Sequence, residues 1–440
     1  MDILHGKIKP LYFKYLSAAF GSALISSIYG VVDMAMVGQY QGPDGSAALA
    51  VVAPVWNVIY SLGLLMGIGG SVLFSMRRGG GDSRGSENQF FTAAVIGSVI
   101  LASVAWAGML LFESPILIFF GADETLLSLA ENYLRPVMYV LPLFLFGQML
   151  SAFIRNDGNS GLATAAVLSG GIFNVFGDYF FVFTCDMGVF GAGLATAAGC
   201  VISFGVMLTH FLRKRNTLRF VCVEKPGRCL GKIAVTGFST FFIDIAMGIL
   251  TVLFNRQIMR YLGADALAVY GPVINVSTFV QCCAYSVGQA AQPILSTNFG
   301  ARQGGRIRET LRLALGTTAV FGVFWTALSL ACPNLYIRIF MNATPEIFAI
   351  APGIIRAYAL SFLLLPFNIF STYYFQAILQ PRVSFIVSVV RGLVVSGALI
   401  LLLPPLLGAD ALWYAMPLTE LVTAAYVAVS MKKTTGRLPE

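Results

Sequence analysis

The chain has few charged residues and almost no histidine. Only 11% of its 440 residues are Asp, Glu, Lys or Arg, and only two are His. A soluble domain carries roughly 25% charged residues, so this composition excludes a soluble globular protein. Enzyme sites for metal or acid–base chemistry depend on clustered His, Asp or Glu, and neither D-D-x-x-D nor H-E-x-x-H occurs. We therefore expect no enzyme and no cofactor.

The cysteines also do not indicate a disulfide or metal-binding function. The seven cysteines are odd in number, and no C-x-x-C pair occurs. Most of them lie in apolar runs, where a free Cys behaves as a small hydrophobic residue. Neither a disulfide framework nor a cysteine metal site is expected.

The chain is rich instead in long apolar runs. Hydrophobic residues make up 57% of the sequence. A membrane-spanning helix needs about 20 apolar residues, and the chain holds about twelve such runs, roughly six in each half. The sequence does not show the alternation of apolar and polar residues that is typical of membrane β-barrel strands. The sequence predicts an all-α integral membrane protein that crosses the membrane about twelve times.

The sequence contains an internal repeat. Ala48–Val55 reads ALAVVAPV and Ala266–Val273 reads ALAVYGPV, so the two differ at only two positions. Each half carries an even number of predicted spans, and both halves therefore enter the membrane from the same side. We predict a parallel repeat with a six-helix lobe at 1–220 and a second at 221–440. Such duplicated membrane domains are typical of secondary transporters, with the substrate path between the halves.

Positive charge is distributed unevenly between the predicted loops. Most of the 28 Lys and Arg residues fall on one side of the predicted membrane, including the connector at about 213–232 and the end of the chain at Lys432 and Lys433. The opposite loops are nearly free of them. Because Lys and Arg favour the cytoplasmic side, both termini should be cytoplasmic. The same asymmetry explains the net charge of +8 without a nucleic-acid partner.

Polar residues inside the predicted helices of the first half form an oxygen-rich set. A carboxylate at mid-membrane costs about 2.5–3.5 kcal/mol, so Asp33 and Asp178 need a reason to be there. Asn174 precedes Asp178 by one helical turn and shares its helix face, and Thr196 lies in the next span. These four residues would bind Na⁺, or the two carboxylates would share a proton because they repel each other. The alternative is that both carboxylates lie near helix ends, where water or capping satisfies them.

The second half lacks a matching set. Asp244 is its one clear intramembrane carboxylate. Arg391 would pair with Asp244, attract an anionic group, or extend to the cytoplasmic surface. Asn368 and Gln281 add polarity without charge.

Aromatic residues and methionine are candidates for a substrate cavity. Met66, Phe279, Tyr285 and Tyr373 would line a pocket for flat cationic molecules through stacking and cation–π contacts. Asp244, Arg391, Gln281 and Asn368 would supply its polar groups. The alternative is that these aromatics only pack between helices or mark the membrane interface.

At these residues the chain resembles the multidrug and toxic compound extrusion (MATE) family, in its DinF-like and MepA-like branches. The resemblance rests on the Val-Asp-x-x-x-Val-Gly to Ala-Pro-Val run at 32–55 and on the Asn-x-x-x-Asp pair at 174–178. It implies a MATE-like fold, and Asp33, Asn174, Asp178 and Thr196 as the coupling residues. It also implies Tyr29 and Gln148 as neighbours of that site. Carboxylates that the NorM-like branch carries in helices seven and ten are replaced by Met247 and Asn368, so a second-half Na⁺ site would require Asp244.

The resemblance implies a secondary active antiporter of the bacterial inner membrane. It would export amphiphilic, mostly cationic drugs in exchange for H⁺ or Na⁺ by alternating access, as a monomer surrounded by membrane lipids. The alternative is a flippase of lipid-linked saccharides or another amphiphile, which would favour a cavity lined by several arginines.

Overall fold

The computed structural model describes residues 3–81, 85–214, 216–340 and 344–438, apart from the side chains of Tyr29 and Pro43. Within these ranges the chain is almost entirely helical and contains no strand. The α-helices of the first half are α1 Ile8–Gln41, α2 Pro43–Gly79, α3 Asn88–Phe119, α4 Glu124–Met138, α5 Leu141–Asn156, α6 Ser160–Asp178 and α7 Gly188–Leu208. Those of the second half are α8 Pro226–Tyr261, α9 Ala264–Gly300, α10 Gly304–Ala331, α11 Pro333–Phe340, α12 Pro345–Ala359, α13 Leu365–Ala377, α14 Pro381–Val389, α15 Val395–Leu407 and α16 Ala415–Thr435.

The helix lengths confirm a polytopic membrane fold. Among the described residues, 11 helical segments are long and apolar enough to cross a membrane. Helices α4 and α5 are bent by 60° at the break between them, and the number of candidate spans rises to 12 when this pair is counted as one span. Residues Glu124–Asn156, which would make one of the twelve predicted spans, therefore form a broken helix. The structure matches the expectation of about twelve spans, six from each half.

Two spans contain a π-helical turn, in which the backbone hydrogen bond skips one more residue than in an α-helix. Tyr179–Thr184 continues α6 directly after Asp178, and Val390–Val394 joins α14 to α15 and contains Arg391. Such turns occur mostly as single insertions and often at functional sites. Both π-helical turns thus adjoin a buried ionisable residue.

The chain divides into two compact units. The first consists mainly of Ser17–Phe241, and the second consists of Leu4–Leu16 and the chain from Phe242 onward. Helices α1 and α8 each contribute residues to both units. The repeat-based lobes at 1–220 and 221–440 remain a prediction about the duplicated sequence.

Candidate functional site

Asp33 is a buried carboxylate in the interior of the first unit. It lies in α1, which continues to Gln41, and only 5% of the residue is exposed. Its Oδ2 atom accepts hydrogen bonds from the Tyr133 hydroxyl at 2.8 Å and from the Thr196 hydroxyl at 3.2 Å. Asp33 is therefore buried within its helix. The alternative that the sequence left open, a carboxylate near a helix end that is satisfied by water or by capping, does not apply to it.

The predicted residues of α6 and α7 come together around this carboxylate. The Asn174 amide donates to the Thr196 hydroxyl at 3.0 Å, and Asn174 and Asp178 are both buried. The buried Asp178 carboxyl is close enough to interact electrostatically with Asp33. The structure thus brings all four predicted coupling residues into one cluster.

Glycines allow the helices that carry these residues to approach closely. A Cβ on Gly199 of α7 would lie 2.7 Å from the carbonyl oxygen of Gly170 on α6, and the reverse contact would be 2.5 Å. A Cβ on Gly193 would overlap the carbonyl oxygen of Tyr133. These contacts hold α7 against α6 and α4, and they place Thr196 between Asn174 and Tyr133.

Several oxygens of the cluster are buried without a hydrogen-bond donor. They are Asp33 Oδ1, Asn174 Oδ1 and both carboxylate oxygens of Asp178. Two carboxyls share a hydrogen bond only when one of them carries a proton, because a carboxylate is solely an acceptor. A proton between Asp33 and Asp178, or a cation bound by these oxygens, would satisfy the orphaned atoms. Carboxylate and amide oxygens suit a hard cation such as Na⁺ as well as a proton.

Tyr133 is a member of the cluster that the sequence did not indicate. It lies in α4, is 3% exposed, and its hydroxyl also lies 3.3 Å from the Thr196 hydroxyl. It is one of 17 tyrosines, and its role depends on the packing of α4 against α7. A tyrosine one turn before Pro136 in an otherwise ordinary amphipathic helix gives no signal of its own.

The two predicted supporting residues are placed differently. Gln148 of α5 packs against Gly63 of α2 and takes no part in the hydrogen bonds found around Asp33 in the described chain. The side chain of Tyr29 lies outside what the structure describes.

In the second unit, Asp244 lies beside Tyr285, one of the predicted aromatic residues. The Tyr285 hydroxyl is 3.4 Å from Asp244 Oδ1, and Asp244 Oδ2 is buried without a donor. The Tyr285 and Tyr373 rings meet edge to face with centroids 6.4 Å apart. A carboxylate beside aromatic rings is suited to an organic cation.

Arg391 and Asn368 belong to another cluster, built around Glu420. The Arg391 Nε donates to Glu420 Oε1 at 2.8 Å, and the Asn368 amide donates to Glu420 Oε2 at 2.6 Å and to the Glu420 carbonyl at 2.8 Å. Glu420 is fully buried in α16. The expectations that Asp244 is the one intramembrane carboxylate of this half, and that Arg391 extends to the surface or pairs with Asp244, are therefore wrong. A guanidinium with a carboxylate in reach remains buried, because it need not reach water.

The remaining cavity candidates show packing contacts. Met66 belongs to the first unit, is 5% exposed, and would meet a Cβ placed on Gly97 of α3. Gln281 is buried and donates within α9 to Ser277 at 3.3 Å. Phe279 is half-buried in the same helix.

The fold and the buried polar clusters define a polytopic membrane protein, and the comparisons with known proteins identify it as a transporter and not an enzyme. The MatE family model matches residues 18–180 and 233–399. The chain therefore belongs to the MatE family.

The matched relatives span nearly the whole chain. The multidrug export protein MepA of Staphylococcus saprophyticus is 24% identical over 91% of this chain and 88% of its own length. The MepA protein of Staphylococcus aureus strain MSSA476 is 24% identical over 84% and 82%. These relatives place the sequence beside MepA, as the resemblance implied.

Solved structures share the fold at low identity. A multidrug resistance MATE family transporter in an outward-facing conformation superimposes with a TM-score of 0.90, at 20% identity, over 99% of this chain and 98% of its own. A MOP superfamily transporter from Pyrococcus furiosus gives a TM-score of 0.90 at 19% identity, over 99% and 98%. At this identity, the likeness concerns the fold.

Proposed function

We propose that the protein is a cation-coupled multidrug antiporter, which exports amphiphilic, mostly cationic compounds in exchange for H⁺ or Na⁺. The observation that carries this proposal is the pair Asp33 and Asp178, whose buried oxygens lack sufficient donors. Two unneutralised carboxylates in a membrane unit are strongly unfavourable. A bound proton or cation would remove that penalty.

Coupling requires the cation to distinguish between two conformations. A ligand shifts an equilibrium only through its different affinity for the two states. Asp33, Tyr133, Asn174 and Thr196 come from four different helices, so a small shift of any one of them would change the coordination at Asp33. Cation binding would thus favour one state and drug binding the other, as alternating access requires.

We further propose that Asp244 with Tyr285 and Tyr373 contributes to drug binding. The donor-free Oδ2 of Asp244 would attract an amine, and the adjacent rings would stack on a flat molecule. The MepA relatives are named as multidrug export proteins, which agrees with this chemistry. We expect the protein to function as a monomer in the bacterial inner membrane with both termini in the cytoplasm.

The alternative of a flippase for lipid-linked saccharides is less consistent with the described residues. An arginine-lined cavity would favour it, but Arg391 is paired with Glu420 and Arg256 is exposed. No second arginine accompanies Arg391 among the described contacts of this cluster.

Transport in proteoliposomes tests the proposal. Efflux of ethidium would be followed with a pH gradient and a Na⁺ gradient imposed separately, for the wild-type protein, Asp178→Asn and the control Asp265→Asn. Asp265 is an exposed acid at the start of α9. We expect one gradient to drive efflux in the wild type and control, and neither in Asp178→Asn. Normal gradient-driven efflux by Asp178→Asn would remove this carboxylate from the mechanism.

A further inference from the structure

The segment between α7 and α8 is held against the first unit by an ordered set of hydrogen bonds. The Thr217 backbone N–H donates to Asp157 Oδ2 at 3.0 Å, and its hydroxyl donates to Asp157 Oδ1. The Asn88 amide donates to the Thr217 carbonyl at 3.1 Å and accepts from the Arg219 N–H at 2.9 Å. The segment therefore has a defined face toward the protein and another toward its surroundings.

Chain connectivity places this segment at a membrane surface. It joins the end of one candidate span, Gly188–Leu212, to the start of the next, Pro226–Tyr261. Because this linker is short and both spans end at the membrane edge, the linker must stay close to the membrane surface.

Two large apolar side chains of the segment are exposed. Leu212 is 86% exposed and Phe220 is 69% exposed, whereas Leu218 between them is buried at 2%. Large apolar side chains in full contact with water are unfavourable. Their exposure is explained if they contact the acyl chain region at the membrane interface.

The exposed residues of the segment are also strongly basic. Its exposed cations, all within the described residues, are Arg213, Lys214, Arg219, Lys225, Arg228 and Lys232. Glu224 is the only acid between residues 212 and 232. Basic residues that alternate with apolar ones in the plane of an interface are attracted to anionic lipids.

We propose that residues 212–214 and 216–232, here called the basic connector, form a binding surface for anionic phospholipid headgroups. The cations would contact the phosphate groups while Leu212 and Phe220 contact the acyl chains. This inference does not depend on cation-coupled drug export, because it concerns lipid binding by a segment outside both buried clusters.

Native mass spectrometry of the detergent-solubilised full chain tests this surface. Phosphatidylglycerol and phosphatidylcholine with the same acyl chains would be titrated against the wild type and the triple variant Lys225→Gln/Arg228→Gln/Lys232→Gln. The matched control is Lys432→Gln/Lys433→Gln/Arg437→Gln, which removes the same charge from exposed residues at the end of the chain. Thermal unfolding of each variant verifies that it folds.

We expect the wild type and the control to retain phosphatidylglycerol preferentially. The connector variant should bind it at least about tenfold more weakly, because each basic residue near an anionic surface contributes attraction. Leu212→Ser should weaken phosphatidylglycerol binding while leaving weak glycerol 3-phosphate binding unchanged. The effect of the connector charges should diminish at high salt.

Three results would overturn the proposal. The first is equal retention of the two lipids by the wild type, and the second is equal loss in the connector and control variants. The third is full competition by glycerol 3-phosphate, which has no acyl chains, since it would indicate a site for a soluble phosphate.

Discussion

Tyr133 of α4 donates a 2.8 Å hydrogen bond to Asp33 of α1, a residue 100 positions earlier in the chain. Thr196 links this pair of residues to α6, because its hydroxyl accepts the Asn174 amide and also contacts both Asp33 and Tyr133. The tyrosine supplies the shorter of the two hydroxyl hydrogen bonds to Asp33 Oδ2. It is thus a positioning residue for the carboxylate that we propose binds the cation.

Replacing Tyr133 with Phe should change the affinity for the coupling cation. A hydrogen bond to a charged group contributes about 1.5–3 kcal/mol, which corresponds to roughly 10-fold to 100-fold in a binding constant. We expect the concentration of H⁺ or Na⁺ at half-maximal ethidium efflux to shift by at least the lower factor. Tyr40→Phe is the matched control, since Tyr40 donates at 2.7 Å to Asp186 at an exposed position. Equal shifts in the two variants would contradict the role of Tyr133.

Replacing Gly193 with Ala should destabilise the first unit. The added Cβ would overlap the Tyr133 carbonyl oxygen, and such overpacking typically costs about 1–3 kcal/mol. Gly205→Ala in the same helix is the control, because a Cβ there meets nothing within 4 Å. Thermal unfolding in detergent should show a lower midpoint for Gly193→Ala alone. A midpoint equal to that of Gly205→Ala would mean that the contact between α4 and α7 is looser than the structure indicates.

The Arg391–Glu420 pair should show strong coupling in a double-mutant cycle. Removing one partner of a buried ion pair leaves an uncompensated charge and costs about 3–5 kcal/mol. We therefore expect Arg391→Gln to lower the unfolding midpoint more than the double variant Arg391→Gln/Glu420→Gln does. Asn368 would still donate to the backbone carbonyl of residue 420 in both variants. Additive effects of the two single changes would show that the pair does not stabilise the second unit.

Protonation of Asp157 should lower the stability of the folded protein at acidic pH. Burial raises the pKa of Asp157, but hydrogen bonds from His210 and Thr217 and the charge of Arg78 outweigh burial and lower it from 3.8. Because the pKa in the folded state is below that in the unfolded state, the stabilisation is complete above the unfolded value. It is lost as the pH falls through the folded value.

This pH dependence is measurable with one variant. Asp157→Asn should unfold at a lower temperature than the wild type at pH 6, and the difference should narrow as the pH falls below about 4. Asp410→Asn, at an exposed position, should show no such trend. A constant difference between wild type and Asp157→Asn across this pH range would contradict the assignment.

The sequence predicted the parts of the site that follow from local context. Asp33 and Asp178 are conspicuous because carboxylates are rare in apolar helices, and Asn174 follows from its spacing of one turn. Tyr133 and Gln148 could not be placed this way, because their neighbours depend on how α4 and α5 pack. The number of spans followed from hydrophobic runs, whereas the break between α4 and α5 and the two π-helical turns did not, since neither changes the hydrophobic pattern.

Glu420 was within reach of sequence reasoning, because it is a carboxylate inside the last apolar span. Its partner Arg391 lies 29 residues away in another helix, so spacing along one helix gave no indication of the pair. An arginine in an apolar span is ambiguous for the same reason: a flexible side chain can extend to water or meet a carboxylate. Tertiary packing decides between these outcomes.

We propose that the cation bound at Asp33 and Asp178 is exchanged for the drug. The most direct measurement is cation release when ethidium binds to the purified protein in weakly buffered detergent solution. A pH indicator would report released H⁺, and displacement of radioactive Na⁺ would report Na⁺. We predict that the wild type and Asp265→Asn release one of these ions, whereas the double variant Asp33→Asn/Asp178→Asn still binds ethidium and releases neither. Undiminished release from the double variant would contradict the account.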